Sequence, residues 1–104
     1  MYLTTKGWKT GTPHRIEIWY VEHNGRYFLV SQFGNEAHWV RNIKAHPSIT
    51  FEVLENKFSG VGRVIDSDLE GDLAREVSRL MDTKYEWSDG LIIELRPEPG
   101  SLEK

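Results

Sequence analysis

Residues 15–31, RIEIWYVEHNGRYFLVS, give the clearest prediction of local structure in this chain of 104 residues. Apolar and polar side chains largely alternate over residues 15–22, and a period of two is typical of a β-strand with one buried face. Asn24 and Gly25 separate this segment from a second strand-like run at residues 27–31. Asn-Gly between two such runs is typical of a two-residue turn, so the stretch predicts an antiparallel β-hairpin.

The segments around this hairpin predict four further strands and two helices. The first helix has an apolar stripe and must end before Pro47, because proline cannot continue a helix. Ser67 and Glu70 have the spacing of a capping box, so a second helix is expected to begin there. The predicted strands are residues 1–6, 48–54, 57–65 and 91–95, the first helix is residues 36–45, and the apolar face of the second is Leu69, Leu73, Val77, Leu80 and Met81.

Six strands and two helices in so short a chain predict a mainly β (α+β) fold, a small antiparallel barrel with helices over its openings. We expect a single domain over residues 1–97 and a C-terminal tail over residues 98–104. Gly60 and Gly62 share one face of a predicted strand. This spacing indicates either the close approach of a helix, a strand or a flat ligand, or the relief of crowding at a barrel corner.

The composition excludes several classes of function. The chain has no cysteine, which excludes disulfides, thiolate metal sites and cysteine nucleophiles. Its four histidines lack the spacing of a metal-binding motif. The net charge of -3 does not favour a nucleic-acid partner. The sequence has no apolar run that predicts a signal peptide or a membrane span, and we expect a cytoplasmic protein.

Residues 2–15, YLTTKGWKTGTPHR, form a cationic segment without any acidic residue in a chain that is acidic as a whole. The segment carries Lys6, Lys9 and Arg15, and its threonines and glycines offer hydroxyl and backbone N–H donors. Two interpretations are open from the residues alone. One is a loop that binds an anion, and the other is a solvated turn.

The chain contains, in this order, LTTKGWKTGTPHR at residues 3–15, the Asn-Gly hairpin, LVSQFG at residues 29–34 and HWVRNIKAHPSITFEV at residues 38–53. This series resembles the deazaflavin-dependent nitroreductase family, part of the FMN-binding pyridoxamine 5'-phosphate oxidase-like superfamily. The resemblance extends over nearly the whole chain. It implies a six-stranded antiparallel split β-barrel with two helices, and an oxidoreductase that binds the deazaflavin coenzyme F-420 or, in related subfamilies, FMN.

The resemblance also implies where the coenzyme binds. The loop with Lys9 and Thr10 is expected to hold the anionic tail, and the segment after the hairpin to line the ring. Trp39 is equally well interpreted as a core residue of its helix. No catalytic acid–base pair is predicted, because the coenzyme itself carries the hydride chemistry. No metal ligand is predicted either, because the histidines lack the spacing of a metal site. The implied cofactor-binding residues are Lys6, Trp8, Lys9, Thr10, Arg15, Ser31, Gln32, Phe33, Gly34, Trp39 and Asn42.

Three positions depart from the family pattern. Trp8 stands where the family has arginine, Gln32 where lysine is common and Phe33 where glycine is common. The loss of cations predicts one of two outcomes. Either the ligand has a less charged tail, such as that of FMN, or Lys6 and Arg15 supply the missing charge.

Three functions follow from the resemblance as expectations. The first is an oxidoreductase that transfers hydride from reduced F-420 to a quinone, a nitro compound or another unsaturated electrophile. The alternatives are an FMN-dependent reductase on the same fold and a non-catalytic carrier of a cofactor or small molecule. We also expect a homodimer, because Trp8, Trp19 and Tyr85 are candidates for outward positions. Tyr85 and Trp87 fit either a lid over the site or a dimer contact.

Overall fold

Strand alternation and turn residues produce seven strands, two α-helices and one 3-10 turn within residues 1–100, the part of the chain that the computed structural model describes. The division into a domain and a tail stays a prediction, and residues 101–104 of that tail lie outside the described residues. The elements are β1 (Tyr2–Lys6), β2 (Pro13–Glu17), β3 (Val21–His23), β4 (Arg26–Ser31), the 3-10 turn (Gly34–Glu36), α1 (His38–Ala45), β5 (Ser48–Val53), β6 (Asn56–Val64), α2 (Gly71–Tyr85) and β7 (Leu91–Pro97).

All seven strands form one antiparallel sheet in the order β2-β1-β5-β6-β7-β4-β3. The two edge strands, β2 and β3, are consecutive in the sequence and only residues 18–20 separate them. The chain from Glu17 to Val21 can extend no more than about 14 Å, so the two edges must curl towards each other. The sheet is therefore a split β-barrel, which confirms the predicted fold class.

The prediction of one continuous strand over residues 15–22 was wrong, and this accounts for the seventh strand. The first part of the segment, β2, pairs with β1, whereas the last part, β3, pairs with β4. Residues 18–20 carry the chain from one edge of the sheet to the other. Regular pairing has to stop at this crossover, although the alternation of side chains does not.

The two predicted hairpin turns are present. Asn24 and Gly25 have φ angles of 52° and 76°, the left-handed values that a type I′ turn requires. The turn between β5 and β6 lies at Leu54 and Glu55, with φ of 49° and 72°, one residue earlier than predicted. The first hairpin is therefore confirmed. The turn of the second was misplaced by one residue, because Leu54 and Glu55 have no intrinsic preference for positive φ that the sequence could reveal.

The sheet has a hydrophobic core on each face. α1 contributes Val40 and Ile43 to one core, and α2 contributes Val77 and Met81 to the other. Strand β4 is buried along nearly its whole length because alternate side chains enter the two cores. Neither helix within the described part of the chain is long and apolar enough to cross a membrane.

Gly60 and Gly62 make room for neighbouring protein atoms. A Cβ atom on Gly60 would lie 2.3 Å from the carbonyl oxygen of Arg96, on the paired strand β7. A Cβ atom on Gly62 would lie 3.0 Å from Cγ2 of Ile43, on α1. Of the alternatives that the sequence left open, a strand and a helix fill this face, and a flat ligand does not.

The predicted start of the second helix was wrong by about one turn. Asp66 organises the preceding turn, since its side chain accepts a hydrogen bond from the Asp68 N–H at 2.9 Å and its carbonyl accepts one from the Glu70 N–H at 2.9 Å. Leu69 is 84% exposed and is not part of the apolar face. The Glu70 carboxylate accepts two hydrogen bonds from Arg63, at 2.7 and 2.8 Å, and these lower the pKa of Glu70.

Candidate functional site

The cationic segment forms a compact loop between β1 and β2. The Gly7 N–H donates to the Thr12 carbonyl at 2.7 Å, and the Gly11 N–H donates to the Gly7 carbonyl at 2.7 Å. Gly11 has a φ of 73°, where a side chain would be strained. A Cβ atom on Gly7 would lie 3.0 Å from both Nε2 of His14 and Oγ1 of Thr10. The loop is therefore closed by its own backbone, with two polar side chains packed against Gly7.

Asn42 fastens this loop to α1. Its Oδ1 accepts a hydrogen bond from the Trp8 backbone N–H at 2.9 Å, and its Nδ2 donates to Oγ1 of Thr5 at 3.0 Å. Asn42 and Thr5 are both buried. Because the two polar ends of the amide are bonded to protein atoms, the structure gives Asn42 a role in positioning the loop.

A cleft of about 750 Å³, the basic cleft, lies between the loop and α1. Lys9 Nζ is 4.7 Å and Arg41 Cζ 5.6 Å from the centroid of the Trp8 ring, so two cations lie close to one indole. Its lining includes no carboxylate among the described residues. The cleft therefore suits an anionic ligand. It is lined by Thr5, Gly7, Trp8, Lys9, Thr10, His14, Ile16, His38, Trp39, Arg41 and Asn42.

A second cavity of about 500 Å³, the aromatic pocket, is lined by Ile18, Trp19, Val30, Ser31, Gln32, Phe33, Ala37, Trp39 and Trp87. Ser31 is buried, and its hydroxyl donates to the Gly34 carbonyl at 2.9 Å, which fixes the turn after β4. Phe33 is 72% exposed at the rim. Trp39 lines both cavities and also packs against the core, so its core contact is present and its contact with the cofactor stays a prediction. The basic cleft and the aromatic pocket thus meet at Trp39.

One wall of the aromatic pocket is formed by Trp19, which the sequence did not assign to the site, and by Trp87, for which a lid and a dimer contact were left open. Trp19 stacks on Tyr85 with ring centroids 4.5 Å apart, and it meets Trp87 edge-on at 6.3 Å. The Tyr85 hydroxyl donates to the Tyr20 carbonyl at 3.1 Å, and Lys84 Nζ donates to the same oxygen at 2.9 Å. The end of α2 is therefore tied to the crossover, and this brings Trp87 to the pocket. All four tryptophans of the chain line the two cavities.

The structure does not bring Lys6 and Arg15 into the basic cleft. Arg15 lies over the Tyr2 ring, with Cζ 4.2 Å from its centroid, and its guanidinium is 3.9 Å from the Glu52 carboxylate. Alternation along β2 places His14 and Ile16 at the cleft, so Arg15 belongs to the opposite face of the sheet. Lys6 is exposed at the end of β1 and is not among the lining residues. The expectation that these two cations replace the missing arginine does not agree with their positions.

One family sequence model, described as F420H(2)-dependent quinone reductase, matches residues 1–89. The chain belongs to this family. The match spans most of the chain, confirms the resemblance, and supports F-420-dependent reductase activity with the deazaflavin as cofactor. No curated protein matches the chain significantly.

Solved structures share the fold of this family member at low sequence identity. HutZ, a heme storage protein from Vibrio cholerae, is 20% identical with a TM-score of 0.75, over 98% of this chain and 82% of HutZ. An F-420-H2 dependent reductase (FDR-A) is 24% identical with a TM-score of 0.63, over 91% of each chain. A putative pyridoxamine 5'-phosphate oxidase from Listeria innocua is 11% identical with a TM-score of 0.69, over 93% and 82% of the two chains. These likenesses establish the split-barrel fold.

Proposed function

We propose that this chain is an oxidoreductase that transfers hydride from reduced coenzyme F-420 to a quinone, a nitro compound or another unsaturated electrophile. One observation supports this most strongly. A basic cleft and an aromatic pocket meet at Trp39, and a coenzyme with a flat ring and an anionic tail needs both environments side by side. Their chemistry fits the coenzyme, since cations and hydroxyls suit phosphate and carboxylates, and indole rings suit a flat heterocycle.

The residues divide into two groups. Lys9 and Thr10 hold the tail by charge-assisted and hydroxyl hydrogen bonds, with Trp8 as part of that wall. Trp39 and the segment of Ser31, Gln32, Phe33 and Gly34 line the ring. Asn42 holds the loop at the correct distance from α1.

The bound coenzyme supplies the hydride, so the chain does not need an acid–base pair of its own. The protein's contribution is position and exclusion of water. Trp19 and Trp87 close one side of the aromatic pocket, and the hydrogen bonds of Tyr85 and Lys84 to the Tyr20 carbonyl keep that wall in place. This arrangement orients a flat acceptor against the ring.

The test is to mix the purified protein with reduced F-420 and each of a panel of quinone and nitro acceptors. Turnover is measured from the rising absorbance of the oxidised deazaflavin. We expect oxidation that depends on both protein and acceptor. FMN is the alternative cofactor, and a yellow preparation that turns over with flavin and not with F-420 would favour it. Binding of F-420 without turnover on any acceptor would favour a carrier.

Replacing Lys9 by alanine is expected to weaken F-420 binding by about 1 to 3 kcal/mol, because a charge-assisted hydrogen bond to the tail is lost. Lys44→Ala is the matched control, since Lys44 is exposed at the end of α1 and does not line the basic cleft. Fluorescence titration of both variants measures the difference. Equal affinities of the two variants for F-420 would show that Lys9 does not bind the tail.

We also propose that the protein is a cytoplasmic homodimer. Trp19 is 53% exposed and Phe33 is 72% exposed, and they lie at the rim of the same pocket. Contact with a second copy removes this apolar area from water. Light scattering at micromolar concentration is expected to give twice the chain mass of 12.1 kDa. A mass of one chain would contradict the dimer.

A further inference from the structure

We propose that Arg41 is a second anion ligand of the basic cleft, and that Glu36 competes with the bound anion for its guanidinium. This inference rests on the proposed function, because the anion is taken to be the phosphate-bearing tail of the coenzyme. Arg41 belongs to α1, whereas Lys9 belongs to the loop between β1 and β2. The two cations therefore reach the cleft from its two walls.

The contacts of Arg41 place its charge at the cleft. Its guanidinium carbon lies 5.6 Å from the centroid of the Trp8 ring, on an indole that Lys9 also contacts. Its side chain is 40% exposed, so part of it is enclosed and part faces water. Lys9 and Arg41 are the two lysine or arginine residues among those that line the cleft in the described structure. A guanidinium with five N–H donors can bind a phosphate through two oxygens at once.

Arg41 already has a partner that lies outside the cleft. Its Nη2 donates to Oε2 of Glu36 at 2.8 Å, and Glu36, in the 3-10 turn, is 81% exposed and does not line the cleft. Because this ion pair is open to water, the need to break it lowers the affinity of a competing anion by no more than about fivefold. A phosphate in the partly enclosed cleft makes stronger charge-assisted hydrogen bonds to Arg41 than the exposed Glu36 does, so it can replace Glu36 as the partner of the guanidinium.

Two opposite effects follow from this competition. Removing the guanidinium weakens binding of the anionic tail by about 10- to 100-fold, because a bidentate charge-assisted contact is lost. Removing the carboxylate charge of Glu36 strengthens binding of the tail by about two- to fivefold, because the anion no longer displaces an ion pair. Neither change affects a ligand that lacks the tail.

The experiment compares the affinities of the wild type, Arg41→Ala, Arg41→Lys and Glu36→Gln for two probes. One probe is F-420, and the other is the deazaflavin ring with its ribityl chain and no phosphate. Arg75→Ala is the control, since Arg75 is an exposed arginine of α2 that pairs with Asp72 away from the cleft. Thermal unfolding of each variant checks that the fold is retained.

We expect Arg41→Ala to lose affinity for F-420 only, Arg41→Lys to lose less of that affinity, and Glu36→Gln to bind F-420 more tightly. Unchanged F-420 affinity in Arg41→Ala, or an equal loss for both probes, overturns the role of Arg41 even when the wild type binds F-420. No gain in Glu36→Gln overturns the competition. If the wild type binds neither deazaflavin, the proposed function fails. Inorganic pyrophosphate then tests Arg41 directly, and equal binding by wild type and Arg41→Ala overturns it.

Discussion

Replacing Asn42 by alanine is expected to lower the free energy of unfolding by about 2 to 4 kcal/mol. The amide side chain is 3% exposed and bonds the Trp8 N–H and the Thr5 hydroxyl, at 2.9 and 3.0 Å. Alanine leaves the N–H and the buried hydroxyl without these partners, and an unpaired buried polar group costs more than an average hydrogen bond contributes. Urea denaturation monitored by circular dichroism measures the change.

The same substitution is expected to weaken F-420 binding by at least about tenfold, because the loop of Lys9 and Thr10 loses its attachment to α1. Asn35→Ala is the matched control, since Asn35 lies in the 3-10 turn and is exposed. It should change neither the stability nor the affinity by more than about 0.5 kcal/mol. If Asn42→Ala were as stable as Asn35→Ala, the assigned anchoring of the loop would be incorrect.

Replacing Gly60 by alanine is expected to destabilise the fold by about 3 to 5 kcal/mol. The new Cβ atom would lie 2.3 Å from the Arg96 carbonyl oxygen and 3.0 Å from its carbonyl carbon, and both belong to backbone. Backbone atoms of a paired strand cannot move aside without breaking the ladder between β6 and β7. In a domain with about 5 to 15 kcal/mol of total stability, this loss is large.

Gly71→Ala is the control for Gly60→Ala. Gly71 is the first residue of α2, and a Cβ atom there comes closest to the far end of the Arg75 side chain, at 3.4 Å. Because alanine favours helices more than glycine does, we expect the control to be neutral or slightly stabilising. Thermal unfolding of the pair measures the difference. Equal melting temperatures would contradict the close packing of β6 on β7.

Local signals in the sequence were sufficient for the hairpin at Asn24-Gly25 and for most strands, because turn geometry and side-chain alternation are properties of neighbouring residues. The break at residues 18–20 could not be read in this way. It depends on which strands become the edges of the sheet, and that is set by pairing between distant segments. The start of α2 was missed because both groups that Glu70 would use in a capping box have other partners. Its N–H donates to the Asp66 carbonyl, and its carboxylate accepts from Arg63.

The residues of the candidate site also differ in whether neighbouring residues were enough to predict them. Lys9, Thr10 and Trp39 could be predicted because their motif lies in contiguous stretches, and the structure places all three at the basic cleft. Trp19 was not assigned to the site, and for Trp87 a lid over the site and a dimer contact were both left open, since the contact between residues so far apart in sequence exists only after the barrel closes. Arg15 was grouped with Lys9 and Thr10 because the cationic segment was treated as a whole, whereas strand alternation begins at Pro13 and places Arg15 outside the basic cleft.

Binding of F-420 across the basic cleft and the aromatic pocket is tested by titrating the wild-type protein with oxidised F-420 and monitoring tryptophan fluorescence. The four tryptophans line the basic cleft and the aromatic pocket, so a ring stacked beside Trp39 should quench them. Free tryptophan amide at matched absorbance corrects for light absorbed by the ligand. We expect saturable quenching with a Kd of about 1 to 10 μM. Fluorescence that stays unchanged up to about 100 μM ligand would contradict it.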